Sequence, residues 1–133
     1  MPFHTGLIQA YMAIVDDKLM IAFVWSVILD IATGMAKGFI NQKTGKLNST
    51  KGLLGLIKHA VVIFLILTIY PFMNAVGFES PADALLIFYI ATYGISVIEN
   101  LGQMGVPFPE FIKKYFTKLQ DNYNQGGHND KTK

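Results

Sequence analysis

The chain has 133 residues, of which 52% are hydrophobic and only 15% are charged, and its formal net charge is +2. This apolar content is too high for a soluble globular domain of that length. Cysteine is absent, which excludes disulfide frameworks, thiolate metal sites and cysteine nucleophiles. Three apolar stretches of bilayer-spanning length predict an integral membrane protein of the all-α class with three transmembrane helices.

Residues 1–18 form an N-terminal segment whose apolar run is too short to cross a membrane. It does not resemble a cleavable signal peptide, because no basic residue precedes the run and two acids follow it. Four apolar residues recur at helical spacing and predict an amphipathic helix on the outer membrane surface. They are Phe3, Leu7, Tyr11 and Ile14. The alternative is a disordered terminus.

A membrane domain is predicted over residues 19–106, with spans at about 19–36, 59–76 and 84–104. A polar loop, Asn41 to Thr50, joins the first two spans. Pro71 lies inside the second span and should kink its helix or end it early. Gly77 should close that helix, and Ser80-Pro81-Ala82-Asp83 should open the third, which predicts a tight hairpin between them.

Residues 107–120 are predicted to form a C-terminal amphipathic helix that lies on the membrane surface. Its aromatic residues would sit at the headgroup boundary and its lysines would face anionic lipid. The residues concerned are Phe108, Phe111, Ile112, Lys113, Lys114, Tyr115, Phe116 and Lys118. The alternative is a soluble helix that docks on a partner. Residues 121–133 are polar and glycine-rich, and they are predicted to be a disordered tail.

The distribution of lysine predicts the orientation. All 11 basic residues are lysines, and only Lys18 falls outside two groups, 37–58 and 113–133. The positive-inside rule therefore places the N-terminus outside, and it places the first loop and the C-terminus in the cytoplasm.

The first span carries small and polar residues at four-residue spacing, a pattern that allows close helix contact. Asp30 belongs to this stripe, and a carboxylate in mid-span costs on the order of 3 kcal/mol unless protein or water surrounds it. We predict an assembly face between copies, formed by Ala22, Ser26, Asp30, Gly34 and Gly38. The alternative is ordinary packing within one chain.

The third span repeats this pattern with Thr92, Ser96 and Asn100. An intramembrane polar network is predicted where the two patterned spans meet the start of the second. Its members are Asp30, Lys58, His59, Glu99 and Asn100. Lys58 is expected to pair with Asp30 or Glu99.

The sequence predicts no enzyme, no cofactor and no metal site. The glycines and lysines of KTGKLNSTKG lack the spacing of a phosphate-binding loop, and no strand precedes them. The three histidines, His4, His59 and His128, are too scattered to share a metal ion.

Three blocks resemble the signatures of the phage lysis and toxin-secretion holins of Gram-positive hosts: LDIATGMAKG, NSTKGLLGLIKH and SVIENLGQMGVPFP, which begin at Leu29, Asn48 and Ser96. The resemblance spans about Asp30 to Leu119. The matching positions are Asp30, Gly34, Ser49, Gly52, Gly55, Lys58, Glu99 and Asn100.

The resemblance implies a multi-pass protein of the host cytoplasmic membrane that accumulates and then assembles into homo-oligomeric lesions. Such lesions would release an endolysin without direct contact. Membrane lipid and further copies of the chain are then the expected partners, and nucleic acid is not. Two alternatives are a small ion or proton channel that uses Asp30 and Glu99 as relay acids, and a membrane adaptor that forms no pore.

Overall fold

The computed structural model describes residues 2–40 and 49–124, and all the regular structure in these two ranges is helical. The helices are α1 (Phe3–Ala13), α2 (Lys18–Ile40), α3 (Ser49–Ala75), α4 (Glu79–Gln103) and α5 (Glu110–Asn124), with one 3₁₀ turn (Ile14–Asp16) before α2. Three of them, α2, α3 from Gly52 onward and α4, are long and apolar enough to cross a membrane. The predicted all-α fold with three spans and a C-terminal helix is confirmed.

The helices extend beyond the predicted span limits at several ends. The helix α3 begins at Ser49, before the predicted span start at about residue 59, so Lys58 lies within the helix and not at its first turn. At the other hairpin end, α4 begins at Glu79, one residue before the predicted cap Ser80. Most of the predicted polar loop, 41–48, lies outside the described residues.

Pro71 does not end α3, which continues through it to Ala75. Gly77 ends the helix with φ +93°, and the amide of Phe78 then donates to the carbonyl of Met73 at 2.8 Å. This is the glycine-dependent helix ending in which a left-handed residue lets the chain satisfy the last carbonyls. Gly105 closes α4 in the same way, at φ +83°.

The core lies where α2, α3 and α4 meet. Phe23 on α2, Ile66 on α3 and Leu86 on α4 are fully buried there. Large apolar side chains on the outer surfaces of α2 and α3 remain exposed, including Trp25 at 59% and Phe64 at 73%. An exposed apolar surface of this kind is expected where helices face lipid rather than water.

One end of the bundle is joined by the hydroxyl of Tyr70, and we call it the Tyr70 end. This hydroxyl lies 2.8 Å from Asp17 Oδ2 and 3.0 Å from Asp83 Oδ1. Asp17 also caps α2, since its Oδ1 accepts from the amides of Leu19 and Met20. The start of α2, the end of α3 and the start of α4 are therefore held together by one tyrosine.

Replacing Tyr70 by phenylalanine should loosen this end of the bundle. The variant keeps the buried ring but leaves the carboxylates of Asp17 and Asp83 without their shared neighbour, at a cost of about 1–3 kcal/mol. The midpoint of thermal unfolding in detergent should fall. Tyr115→Phe is the matched control, because Tyr115 is 60% exposed on α5 and its loss should leave the midpoint unchanged. An unshifted midpoint for Tyr70→Phe would show that the three-helix junction does not depend on the hydroxyl.

The N-terminal helix α1 packs against the part of α3 near the Tyr70 end. The ring of Phe3 meets that of Phe72 edge to face, with centroids 6.4 Å apart. The hydroxyl of Tyr11 donates to the carbonyl of Thr68 at 2.7 Å. Two residues of the predicted apolar face thus contact α3, and the membrane-surface position of this segment stays a prediction.

The C-terminal helix α5 folds back antiparallel along α4. Phe116 lies against Gly94, and Gln120 Nε2 donates to Thr92 Oγ1 at 2.9 Å. Beyond this contact, Asn124 lies near Ser80 at the start of α4. The helix starts at Glu110 rather than at the predicted residue 107, since the prolines at 107 and 109 delay it. It also includes residues 121–124 of the predicted tail, whose remaining residues lie outside the described part of the chain.

Candidate functional site: a buried polar cluster around Asp30

Asp30 lies at the centre of a polar cluster between α2, α3 and α4. It is only 7% exposed, although it is a carboxylate in the middle of an apolar helix. Its Oδ1 accepts hydrogen bonds from Ser96 Oγ and from Asn100 Nδ2, the latter at 3.2 Å. The carboxyl group of Asp30 thus finds its hydrogen-bond partners within one chain, as a buried polar group requires.

Asn100 ties the two patterned helices together. It is 7% exposed on α4, and its amide group also lies 3.0 Å from Thr33 Oγ1 and 3.4 Å from the Asp30 carbonyl. Ser96 precedes it by one helical turn on the same face of α4. The spacing of Ser96 and Asn100 in the sequence indicated this shared face, and the structure directs it toward α2.

His59 brings α3 into the cluster. Its Nε2 lies 3.7 Å from Asp30 Oδ2, and its Nδ1 lies 3.1 Å from the hydroxyl of Tyr93. In the tautomer that carries its proton on Nε2, the ring points this proton at Asp30 and accepts from Tyr93. A carboxylate, an imidazole and a phenol therefore stand in a row across the interior of the bundle.

The structure brings together three of the five residues predicted for the polar network. Asp30, His59 and Asn100 meet, whereas Lys58 and Glu99 are exposed. Within the described residues neither of these two contributes a hydrogen bond or an ion pair to Asp30. The physical reason is helix phase, because Lys58 and Glu99 each directly precede the inward-facing residue and so point about 100° away from it.

Tyr93 and Thr33 also belong to this cluster, although neither is among the five residues predicted for the polar network. Tyr93 is 7% exposed and packs against the ring of Phe23 as well as against His59. One signal pointed to it: a tyrosine in mid-span needs a partner for its hydroxyl.

The five residues predicted as an assembly face do not all share one environment. Asp30 faces α4 and α3 within the chain, and a Cβ built on Gly34 would lie 3.7 Å from Asn100 Nδ2. Ala22 is exposed, and the hydroxyl of Ser26 donates to the carbonyl of Phe23 in its own helix at 2.7 Å. Contact between copies through this face stays a prediction.

A crevice of about 620 Å³ opens between α2 and α3, away from the Tyr70 end. Glycines line it on both sides, Gly34 and Gly38 on α2 and Gly52 and Gly55 on α3. Asp30 and His59 also line it, so the polar cluster borders an open space. Gly38, the last member of the predicted assembly face, lies here.

The residues of the predicted membrane-surface helix also lie in different environments. Ile112 and Phe116 are half-buried, and Phe116 packs on Gly94 of α4. Phe111 and Tyr115 are 72% and 60% exposed, and Lys114 and Lys118 are exposed as well. Phe108 lies before the helix. A helix docked on α4 must leave that position before it can lie on a leaflet, and the surface position stays a prediction.

The cluster offers hydrogen-bonding groups that can exchange partners. In the described part of the chain, no group of three or more His, Cys, Asp or Glu side chains could hold a metal ion. Serine, asparagine and aspartate in mid-membrane can bond across helices of one chain or of neighbouring copies with similar strength.

Comparisons with known proteins show the family to which this chain is similar. The sequence profile of the bacteriophage holin family matches residues 7–121. The uncharacterized protein BH0965 of Halalkalibacterium halodurans is 35% identical over 71% of this chain and 72% of its own length. CPE0383 of Clostridium perfringens is 30% identical over 81% and 79%, and YqxH of Bacillus subtilis is 30% identical over 77% and 71%; both are also described as uncharacterized. No solved structure matches the chain.

The profile match covers most of the chain, including all three membrane-length helices, the polar cluster and nearly all of α5. The predicted family resemblance is confirmed. This multi-pass membrane protein belongs to the bacteriophage holin family.

Proposed function

We propose that the chain is a working holin, which oligomerises in the host cytoplasmic membrane and forms lesions that let an endolysin reach the cell wall. The observation that carries this proposal is the family match over residues 7–121. The family is non-enzymatic in general, and the protein would act by assembly alone, with membrane lipid and further copies of itself as partners.

The polar cluster supports this proposal. Asp30 is paired within one chain, so a sparse monomer can sit in lipid without an unpaired charge at mid-depth. At high density, Ser96, Asn100 and Asp30 could form the same hydrogen bonds between copies. A sudden transition from monomers to a lesion requires that polar groups turn toward neighbouring copies. Such an exchange costs little here, because the hydrogen bonds lost within one chain are regained between chains.

The distribution of lysine supports an orientation with the Tyr70 end outside. Within the described residues, Lys37 and Lys58 lie toward the opposite end of the bundle, and Lys18 lies beside the Tyr70 end. The N-terminus would then be outside, and the segment between α2 and α3 would be cytoplasmic.

Cysteine labelling should confirm this orientation, and the absence of native cysteine gives a clean background. Before any lesion opens, Ser80→Cys should react with an impermeant thiol reagent added to intact cells, and Asn48→Cys should not. Permeabilised cells, in which both should react, are the control. Labelling of Asn48→Cys in intact cells would reverse the proposed topology.

The function itself is tested by inducing the gene alone, or together with an endolysin gene, in a bacterial host. A holin should abolish the membrane potential at a defined time and should permit lysis only when the endolysin is present. A selective ion pathway without lysis would favour a channel, and an unchanged potential would favour an adaptor that forms no pore.

A second candidate function is a small proton channel, because Asp30, His59 and Tyr93 form a row of proton-carrying groups inside the bundle. The 3.7 Å and 3.1 Å separations along this row are short enough for exchange through small movements or one water molecule. His59→Leu separates the two functions: a proton channel should lose its current, whereas a holin should still release endolysin.

A further inference from the structure

The helix α5 presents a polar strip on the side opposite its contact with α4. Phe116 and Gln120 contact α4, and Ile112, Leu119 and Tyr123 are half-buried on the same side. The other side carries the strip, made of Glu110, Lys113, Lys114, Thr117, Lys118 and Asp121. All of its members except Lys113 are exposed, so the strip points away from the bundle into its surroundings.

The contacts with α4 fix the depth of this strip. Gly94 and Thr92, which meet Phe116 and Gln120, lie near the middle of the 25-residue helix α4. Because a helix rises about 1.5 Å per residue, Lys114 and Lys118 each lie about 3 Å from Phe116 along the axis of α5. Where α4 crosses the bilayer, a docked α5 therefore carries both lysines at the depth of the hydrocarbon.

The free energy of placing charged side chains in hydrocarbon excludes lipid as the neighbour of this strip. Lys114 and Lys118 are costly to place at mid-bilayer, and Lys113 and Asp121 add to that cost. The contacts that would offset it are the half-buried apolar side chains of α5 and one hydrogen bond, from Gln120 to Thr92. A docked α5 is therefore stable in a membrane only when water, rather than acyl chains, covers its strip.

The docking contact is nevertheless specific. A Cβ built on Gly94 would come within 3.2–3.3 Å of the Phe116 ring, so the absence of a side chain lets the ring sit directly on the α4 backbone. Ala91 and Ile98 are buried on α4 outside the core shared by α2, α3 and α4, at spacings that place them on the Gly94 face. This face of α4 is shaped to receive a helix.

We propose that α5, docked on α4, lines the water-filled lumen of the lesion, with its polar strip in contact with that water. The inference rests on the proposed function. It also relates the docked helix to the predicted surface helix: α5 would lie on the cytoplasmic leaflet while copies are sparse and would move against α4 as the lumen forms. This movement would carry Asn124 through the lumen to the outer end of α4, beside Ser80.

A reducible crosslink tests whether the lesion contains the docked helix. Thr92→Cys and Gln120→Cys are introduced into the full cysteine-free chain and joined by a short bifunctional methanethiosulfonate. The protein is then reconstituted in vesicles of anionic and zwitterionic lipid that hold a trapped fluorescent protein. The linked chain should release that protein at least as fast before reduction as after it, because the link holds α5 in the position that the lesion requires. Release that appears only after reduction would overturn the inference, because the lesion would then need α5 away from α4.

The same linked chain tests whether the strip faces water. Lys114→Leu combined with Lys118→Leu should slow release about tenfold, because an apolar lining favours dewetting of a lumen. Lys18→Leu, at the start of α2, is the control and should leave release unchanged. Unaltered or faster release from the double leucine variant would place the strip against lipid and overturn the inference. If the unmodified chain itself releases nothing, the proposed function fails and this inference fails with it.

Discussion

Asp30→Leu should bring lysis forward while leaving membrane insertion intact. The substitution removes the acceptor shared by Ser96 and Asn100 and the carboxylate that faces His59. Ser96 loses its partner on α2, whereas Asn100 keeps Thr33 Oγ1 and the backbone carbonyl of residue 30. A buried donor left without a partner costs about 1–3 kcal/mol, so the contact between α2 and α4 should weaken. A weaker monomer should pass sooner to contacts between copies, because Ser96 and Asn100 remain and can form hydrogen bonds with each other across chains. The readout is culture density after induction with an endolysin, alongside the amount of protein in the membrane fraction.

Asp30→Asn separates the charge of Asp30 from its hydrogen bonds. The amide oxygen can still accept from Ser96 and Asn100, so only the interaction with His59 changes, and the shift in lysis time should be smaller than for leucine. Ile28→Leu lies on the exposed side of α2 and is the control for both variants. Lysis at the normal time in both Asp30 variants, at normal protein levels, would remove the cluster from the mechanism.

The composition and the helical spacing were enough to predict the class of fold. The signals used were local ones: three apolar stretches of membrane length, the glycine at position 77 and the prolines before α5. Each acts on the backbone or the hydration of its own segment, so each can be interpreted without the tertiary structure. The ends of the helices are less accessible from sequence, because a helix such as α3 can continue beyond the apolar stretch that predicts its span.

The candidate site could also be predicted only in part. Four-residue spacing indicated that Ser96 and Asn100 share a face and that Asp30 shares one with Gly34, but spacing does not reveal which helix a face meets. The structure directs both faces toward each other within the chain. Helix phase also explains why Lys58 and Glu99 lie outside the cluster: the residues that follow them, His59 and Asn100, point inward.

Gly34→Leu should prevent normal packing of α2 against α4 and should lower the amount of folded protein. A Cβ at this position would make an ordinary contact, 3.7 Å from Asn100 Nδ2, but the branches of leucine beyond it would occupy the space of the polar cluster. Overpacking of this kind costs about 1–3 kcal/mol, and the displaced Asn100 would also lose its bonds to Asp30 and Thr33. The measurements are membrane-fraction levels and the thermal midpoint in detergent.

Two further glycine variants make this result specific. Gly34→Ala should be tolerated, since its added methyl group makes only the ordinary contact. Gly102→Leu adds the same bulk and the same gain in helix propensity to α4, where a Cβ meets nothing within 4 Å, and it should fold normally. If Gly34 instead belongs to a face between copies, Gly34→Leu should keep normal levels and a normal midpoint but lose crosslinked oligomers. That outcome would assign the stripe to assembly, because close approach of the helices would then be needed only between chains.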